Sequence, residues 1–213
     1  MKDDVAVPTP GPSEILIRIA AAGFCHTDYQ VYEGAYKTNL PHTGSHEPVG
    51  TVAALGPNVS EAWKVGDRVG AFLFRTPCGK CNDCKWYASS HDGKFDARYY
   101  DNKVMGGIHG ADGGFAEYII TSDDAIVKIP AGVPFEQAAP LMYAGATVWT
   151  AIKETGLKPG ETLAVVGIGA LGLLAIQFAK AVGLRVAAIH HRDASSKNLA
   201  LPVELRADVF VDS

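Results

Sequence analysis

The spacing of apolar positions changes along the chain near residue 134. Before Pro134, short apolar runs alternate with glycine and proline turn signals, and no stretch has a long 3.6-residue repeat. The runs are ILIRIAAAG, VGTVAALG and DRVGAFLF. This pattern predicts a β-rich first domain made of short strands.

From residue 134 onward the spacing becomes helical and then alternates between strand and helix. PFEQAAPLMYAGATVWTAIKETG has helix-like apolar spacing over residues 134–156, broken near its middle by small residues. After a turn at Lys158-Pro159-Gly160, the sequence predicts a strand at 162–166, a helix at about 170–182 and a second strand at 185–189. A weaker segment, interrupted by Pro202, leads to a third short strand in ADVFVDS.

Strand, helix and strand at this spacing predict a parallel sheet with a right-handed crossover. We therefore expect a β-rich domain over residues 1–140 and an α/β dinucleotide-binding half over residues 141–213. A full dinucleotide fold has about six strands in the order 3-2-1-4-5-6, so this half is expected to be partial. The first strand, Leu163–Val166, would then be a sheet edge without the Lys, Pro or short length that protects natural edge strands. We expect it to pair in a homodimer or to be covered by the chain's own tail or first domain.

Composition and charge narrow the class of protein. The 213 residues are 47% apolar and 20% charged, with a net charge of −4, so no basic field is available to hold nucleic acid. No window has the unbroken apolar run of a membrane span. The acidic, proline-rich start MKDDVAVPTPGPSE does not resemble a secretory signal, and we expect a cytoplasmic protein.

A glycine-rich turn follows the first strand of the α/β half. Gly167, Gly169 and Gly172 form G-x-G-x-x-G between an apolar strand and an apolar helix. In this context the three glycines allow the tight turn, the close approach of backbone to a pyrophosphate, and the packing of helix on strand. Ala170 and Leu171 would begin the helix whose free N–H groups face the phosphate. The alternative is a glycine-rich packing turn.

The end of the second strand indicates which nicotinamide cofactor is bound. A carboxylate at this position normally holds the ribose 2′-hydroxyl of NAD, but this chain has His190 there, followed by His191 and Arg192. Histidine and arginine can bond a 2′-phosphate, and the pattern therefore favours NADP(H) over NAD(H). In the alternative, these are solvated loop residues and Asp193 takes the NAD role.

Two groups of residues have metal-ligand chemistry. Cys25 stands beside His26 in GFCHTDYQ, and His46 precedes Glu47 in GSHEPVG. A thiolate, an imidazole and a carboxylate are ligands of catalytic zinc, although each alone would more often be structural. The second group consists of three closely spaced cysteines, which suit metal thiolates better than disulfides or free thiols. These are Cys78, Cys81 and Cys84.

The order G-x-C-H-T-D, G-x-H-E-P-x-G, C-x-x-C-x-x-C, G-x-G-x-x-G resembles the zinc-containing medium-chain dehydrogenase/reductase family, with fungal alcohol dehydrogenases as the nearest match. The resemblance covers essentially the whole chain and ends before the family's carboxyl-terminal part. It implies an α+β and α/β fold, in which a GroES-like catalytic domain is followed by a Rossmann half. It also implies hydride transfer between NAD(P)(H) and a small alcohol or carbonyl substrate, with zinc assistance.

Roles for individual residues follow from the resemblance. Cys25 and His46 would be catalytic-zinc ligands, and Glu47 an adjacent alternate ligand. Asp28 would orient the imidazole, and Thr27 would hydrogen-bond the substrate oxygen and pass on its proton.

The nicotinamide side of the site shows two departures from the family. Thr147 would lie against the nicotinamide. The family's second catalytic cysteine falls in APLMYAGATV, where this chain has Tyr143, a bulky phenol and a poor zinc ligand. Gln30 stands where relatives often have a relay histidine, and it cannot carry a proton to solvent in the same way. Zinc at this site is therefore expected to be partial or lost.

The segment that contains Cys78, Cys81 and Cys84, called the cysteine lobe below, also departs from the family pattern. Tyr100 stands where a fourth cysteine is expected, and the loop before it is lengthened. His91 or Asp92 could then complete a Cys₃His or Cys₃Asp site with the three lobe cysteines.

Three functions remain open at this stage. The first is a zinc-assisted, NADP(H)-linked oxidoreductase. The second is a degenerate, zinc-poor relative that performs isomerase- or cyclase-type chemistry, with Tyr143 as a phenolic acid, or binds a small molecule. The third is a fragment or inactive partner protein.

Overall fold

The chain divides into two compact units, residues Met1–Tyr143 and Ala144–Ser213. The computed structural model describes residues 4–74, 80–93, 104–190 and 207–212. The division falls three residues beyond the expected boundary at residue 140. The fold combines an α+β unit with an α/β unit, as the sequence predicts.

The first unit is built on a five-stranded sheet whose neighbouring strands are antiparallel, in the order β6-β1-β2-β3-β7. Its strands are β1 Glu14–Ala22, β2 Pro48–Leu55, β3 Arg68–Ala71, β6 Tyr118–Ser122 and β7 Ile126–Lys128. A separate short pair consists of β4 Met105–Gly106 and β5 Gly110–Ala111. The buried cluster of this sheet includes Ile15, Ile17, Val52, Val69 and Ile119, because the short apolar runs supply its inner face.

Short helices interrupt the β-rich unit. α1 spans His26–Tyr32 and α2 spans Asn82–Ser90, and the sequence analysis predicts neither, because each has only two turns or so and no long apolar repeat. The break expected within residues 134–156 is present. α3, Phe135–Ala138, runs into a short 3-10 helix, Ala139–Leu141, and α4 then spans Ala144–Glu154.

The second unit is the predicted strand–helix–strand arrangement. After α4, it contains β8 Thr162–Val166, α5 Ala170–Ala181, β9 Arg185–His190 and β10 Val209–Asp212. The three strands are parallel and lie in the order β10-β9-β8. The core of the unit includes Val148 of α4, Ile176 of α5 and Val186 of β9. Across the parts of the chain described above, no helix has the length and apolar character needed to cross a bilayer.

β8 is an edge strand, as predicted. Over the described ranges it pairs only with β9. The Glu161 carbonyl accepts from Arg185, and the Gly167 N–H donates to Ile189, so the odd-numbered residues face β9. Because hydrogen-bonding direction alternates along a strand, the N–H groups of Ala164 and Val166 point to the open edge. The side chain of Val166 is also 78% exposed.

Candidate active site

Asp28 contacts both metal-ligand motifs of the first unit, the one that contains Cys25 and the one that contains His46. Its Oδ2 accepts from the Cys25 N–H at 2.8 Å, capping α1, and its Oδ1 accepts from the Ser45 N–H at 2.8 Å. The same Oδ1 lies 3.6 Å from Nδ1 of His46. A carboxylate in this position fixes the orientation of the imidazole, which is the role predicted for Asp28.

The environment of Asp28 keeps it charged. Its burial would by itself raise its pKa. The contact with His46 and the two N–H groups of Cys25 and Ser45 outweigh that effect and hold the pKa below its usual value of 3.8. The Asp28 carboxylate is therefore an ionised acceptor, although the residue is only 8% exposed.

Ser45 holds the backbone next to His46 in an unusual conformation. Its φ is 72°, in the left-handed region that few non-glycine residues adopt. Its Oγ donates to the Gly23 carbonyl at 2.8 Å, and its own carbonyl accepts from the Gly114 N–H at 2.8 Å. Gly113 packs so closely on the Ser45 carbonyl that a Cβ there would overlap it. These contacts fix the position of the loop that carries His46.

His46 is buried without a full set of partners. Its side chain is fully enclosed, and neither Nδ1 nor Nε2 makes a hydrogen bond to any residue in the described ranges. Tyr143 packs on it edge to face, with ring centroids 4.7 Å apart and planes at 89°. Leaving a buried ring nitrogen unpaired costs about 1–3 kcal/mol, so a ligand that reached Nε2 would recover part of this cost.

Other candidate residues lie close enough to Tyr143 to affect the pKa of its phenol. Burial raises the pKa of its phenol above 10.0, and the nearby Cys25, Tyr36 and Glu47 raise it further. The phenol therefore keeps its proton at neutral pH. Among the described residues, no hydrogen bond is made by its hydroxyl.

Cys25 and Glu47 lie near this ring but are not gathered into a ligand set. The Cys25 Sγ contacts the Thr27 Oγ1 at 3.8 Å, while the carboxylate of the buried Glu47 lies over Gly23, where a Cβ would overlap it. In the described ranges, no three His, Cys, Asp or Glu side chains are arranged to hold a metal ion. Within the described ranges Cys25, His46 and Glu47 do not form one group of this kind, and their role as zinc ligands stays a prediction.

Gln30 is half-buried on α1, two turns from Cys25 at most, and its carbonyl accepts from the Ala35 N–H at 3.0 Å. Thr27 is likewise half-buried. Both belong to the same helix as Asp28, so the C-H-T-D motif is held as one local unit.

The cysteine lobe is organised around the start of α2. Cys81 caps the helix, with its Sγ accepting from the Cys84 N–H at 3.4 Å, and Cys84 is buried. Cys78 and Tyr100 lie outside the described residues. Cys81 and Cys84 are therefore close together, as the spacing predicts.

His91 and Asp92 follow the carboxyl end of α2, and their part in a metal site with the three cysteines stays a prediction, because Cys78 lies outside the described residues. α2 has nine residues and is about 13 Å long at 1.5 Å per residue. His91 follows its carboxyl end, whereas Cys81 precedes its start. The His91 ring stacks on Tyr87 with centroids 3.9 Å apart, and Asp92 continues the turn away with φ 54°. The length of the helix therefore lies between these two residues and Cys81.

The glycine turn of the second unit has the geometry predicted for it. Gly167 has φ 86°, and a Cβ on Gly172 would overlap the Gly167 carbonyl. Gly169 caps α5, with open space around its Cα. Ala170 and Leu171, the first residues of α5, are exposed beside it.

His190 contacts this turn directly. The Ile168 N–H donates to its Nδ1 at 3.3 Å, so the ring proton of a neutral His190 lies on Nε2. His191, Arg192 and Asp193 lie outside the described residues. Thr147, predicted to face the nicotinamide, is exposed on α4.

Two residues of the site have little signal in the sequence. Ser45 connects Asp28, Gly23 and the loop near residue 114, but its only signal is its position between Gly44 and His46. Tyr36 is near enough to Tyr143 to raise its pKa. Both contacts are long-range and depend on the packing of separate loops.

Comparisons with known proteins agree with this geometry. Residues 11–131 match the family model described as "Alcohol dehydrogenase GroES-like domain". An alcohol dehydrogenase of Rhizobium meliloti (strain 1021) is 40% identical over 213 residues, which is 99% of this chain and 59% of that protein. The chain therefore spans about three fifths of the length of such relatives.

Two solved structures have the same fold. Cinnamyl alcohol dehydrogenase from Sorghum bicolor superimposes with a TM-score of 0.81 at 31% identity, covering 97% of this chain and 58% of the other. A putative zinc-binding dehydrogenase from Sinorhizobium meliloti 1021, bound to NADP, gives 0.83 at 29% identity, covering 98% of this chain and 57% of the other.

Proposed function

Since the chain belongs to the zinc-type, GroES-like alcohol dehydrogenase family, we propose that it serves in an oxidoreductase that moves hydride between a nicotinamide cofactor and an alcohol or carbonyl substrate. The observation that carries the proposal is the glycine turn between β8 and α5, with its left-handed Gly167 and its close Gly172–Gly167 contact. That turn suits a pyrophosphate at the start of α5. The relatives are alcohol dehydrogenases, which does not favour the non-redox alternative.

Cofactor binding tests this proposal most directly. Fluorescence titration of the full chain with NADPH and with NADH should give saturable binding of at least one of them. Oxidation of short-chain and aromatic alcohols, followed through nicotinamide absorbance, would then test turnover. Failure of both cofactors to bind would reject the proposal.

We further propose that the cofactor is NADP(H) rather than NAD(H). β9 ends at His190, with no carboxylate in contact with the glycine turn within the described residues, and Arg192 follows in the sequence. Tighter binding of NADPH than NADH, with a smaller gap in Arg192→Ala, supports this preference. Equal affinities, or tighter NADH, contradict it.

Zinc is the metal implied by the family, and the residues at the catalytic position do not fit it as they stand. Cys25 is the one cysteine there, Glu47 lies over Gly23, and the Tyr143 ring packs on His46. No three-ligand group is formed within the described ranges. We propose that zinc at Cys25, His46 and Glu47 is partial or lost, and no step of the reaction is assigned to it.

We also propose that β8 pairs with a second copy of the chain. The outward N–H of Ala164 and the exposed Val166 form an edge suited to strand addition. Ala164→Pro removes an outward N–H without touching the β9 ladder and should convert the dimer to a monomer in sedimentation experiments. Val165→Pro, which breaks the β9 ladder, is the destabilised control. A dimer that survives Ala164→Pro has its interface elsewhere.

The cytoplasm is the compartment we propose, because Cys25 and Cys81 are free thiols and such thiols persist in reducing surroundings. Fractionation of cells that express the full-length protein would test this.

A further inference from the structure

We propose that the group of residues around His46 binds the substrate oxygen without a resident metal, with the Tyr143 hydroxyl as hydrogen-bond donor and His46 Nε2 as acceptor. This inference rests on the proposed oxidoreductase function, and it differs from the family's zinc chemistry at the same position. This binding mode adds no bond-making or bond-breaking step to the hydride and proton transfer of the proposed reaction. Tyr143 contributes a hydrogen bond and gives up no atom.

The first observation is where Tyr143 lies. Its ring meets the His46 imidazole edge to face, with centroids 4.7 Å apart. Cys25 and Glu47 are near enough to its phenol to affect it electrostatically. The tyrosine therefore lies among the residues that the family would use to bind a metal, and it has a phenol where a second thiolate would stand. Its ring also shields one side of the imidazole from a cation.

The second observation is that the site contains an acceptor with nothing to accept from. His46 is 1% exposed, and its Nε2 is without a hydrogen-bond partner in the described ranges. Asp28 stands at the other nitrogen, 3.6 Å from Nδ1, and in the neutral tautomer whose N–H faces this carboxylate the ring proton is on Nδ1. Nε2 then keeps its lone pair, and an alcohol O–H or a water could donate to it.

The third observation is that the site also contains a donor with nothing to donate to. The Tyr143 hydroxyl makes no hydrogen bond to any described residue, and a phenol with an ordinary pKa of about 10 is protonated at neutral pH. A protonated hydroxyl can donate to a carbonyl or alkoxide oxygen, which is the atom a Lewis acid would otherwise polarise. An alcohol oxygen that reached both groups would accept from Tyr143 and donate to His46.

A metal, by contrast, would find an unfavourable set of ligands. One cysteine remains, Cys25, and its Sγ is already in contact with the Thr27 Oγ1 at 3.8 Å. Glu47 would have to leave its position over Gly23. A catalytic zinc site keeps three protein ligands and one open position, and this cleft offers two nitrogen or sulfur ligands with an aromatic ring beside them.

Cobalt binding distinguishes a metal site at Cys25 and His46 from the proposed metal-free site. Co²⁺ gives a thiolate charge-transfer band when a cysteine binds it. Because the lobe cysteines can give a band of their own, Cys25→Ser serves as the reference. We expect wild-type and Cys25→Ser spectra to superimpose. Tyr143→Cys should gain a band that disappears in the Cys25→Ser, Tyr143→Cys double variant, with affinity higher by about tenfold or more. A Cys25-dependent band in the wild type would overturn the inference while leaving the oxidoreductase proposal intact.

Oxygen binding is tested with 4-(dimethylamino)cinnamaldehyde, whose absorption moves to longer wavelength when its carbonyl oxygen accepts a hydrogen bond. With NADPH bound, the wild type should shift this absorption, and the shift should persist in excess EDTA. Tyr143→Phe keeps the ring and removes the donor, and should lose the shift while still binding NADPH. Loss of the shift with EDTA, its survival in Tyr143→Phe, or no shift in the wild type that binds NADPH would each contradict the inference.

Failure of NADPH itself to bind would instead reject the proposed function. Should Tyr143→Phe fail to fold, the wild-type cobalt comparison and the EDTA test still decide the matter, because neither needs a change at Tyr143.

Discussion

The Ile168 N–H donates to Nδ1 of His190 over 3.3 Å, joining the glycine turn to the end of β9. Dinucleotide-binding folds commonly have a carboxylate at this strand end. An imidazole in the same place can accept from the turn through one nitrogen and still offer a donor at the other. The strand end is thus a donor toward the ribose, whereas a carboxylate would be an acceptor.

His190→Asp should reverse the cofactor preference. The carboxylate can still accept from the Ile168 N–H, so the turn is retained, but its charge repels a 2′-phosphate. The Kd for NADPH should rise by about tenfold or more, and the Kd for NADH should fall. His190→Asn, with one acceptor and one donor, is the matched control and should keep the wild-type order. Unchanged ratios in His190→Asp would show that this side chain does not contact the ribose.

Gly169 and Gly172 should respond differently to alanine. Gly169 has φ −94° and open space around its Cα, so Gly169→Ala should fold with nearly wild-type stability yet bind cofactor more weakly. Gly172→Ala forces a Cβ into the Gly167 carbonyl and should lower the free energy of unfolding by more than about 1 kcal/mol. Urea unfolding and NADPH titration of both variants measure this. If Gly169→Ala binds NADPH normally, the pyrophosphate does not approach this turn.

Asp28→Asn should destabilise the first unit. An amide can replace one carboxylate oxygen, but its NH₂ group would then face an N–H donor from Cys25 or Ser45. We expect a loss of about 1–3 kcal/mol in the free energy of unfolding. Asp112→Asn is the control, because Asp112 also accepts an N–H bond, from Thr43 at 2.7 Å, but is largely exposed. Equal losses in the two variants would mean that Asp28 does not join the loops as described.

Asp208 should make the stability of the second unit depend on pH in the acid range. Its contact with Lys180 at 2.8 Å and its bond from the Val186 N–H hold its pKa below the usual 3.8. A pKa lowered by folding stabilises the folded state fully above 3.8, and this stabilisation is lost as pH falls through the lower folded value. Urea unfolding should therefore show a steeper decline below pH 4 in the wild type than in Asp208→Asn.

Trp149 reports on this unit when Trp63 and Trp86 are replaced by phenylalanine. Lys180→Met keeps the Val186 bond and should lie between the wild type and Asp208→Asn. Identical pH profiles in all three proteins would contradict the assignment.

The second unit was the more predictable half of the fold. The ends of β8, α5 and β9 lie within one residue of the predicted ones, because the apolar period changes sharply at Gly167 and Gly183. α1 was missed because its seven residues are specified by one cap, Asp28, and not by a repeat. Short elements of this kind depend on single polar contacts that a period cannot reveal.

The candidate site was predictable in its residues but not in its geometry. Cys25, Asp28 and His46 follow from motif order, and Tyr143 from its departure at one position. The edge-to-face contact of Tyr143 with His46 joins residues far apart in sequence, and so does the Ser45 bond to Asp28. His91 lies at the carboxyl end of a helix that the apolar pattern does not predict, and its role as a ligand stays a prediction.

Tyr143 also has a genetic consequence. Tyrosine codons, TAT and TAC, differ from the cysteine codons TGT and TGC at the second base alone. A metal-free cleft with a phenol and a cleft with a second thiolate are thus separated by a single point mutation. A population carrying this gene can sample both chemistries within ordinary mutational variation, while Asp28, Ser45 and the rest of the scaffold around His46 stay the same.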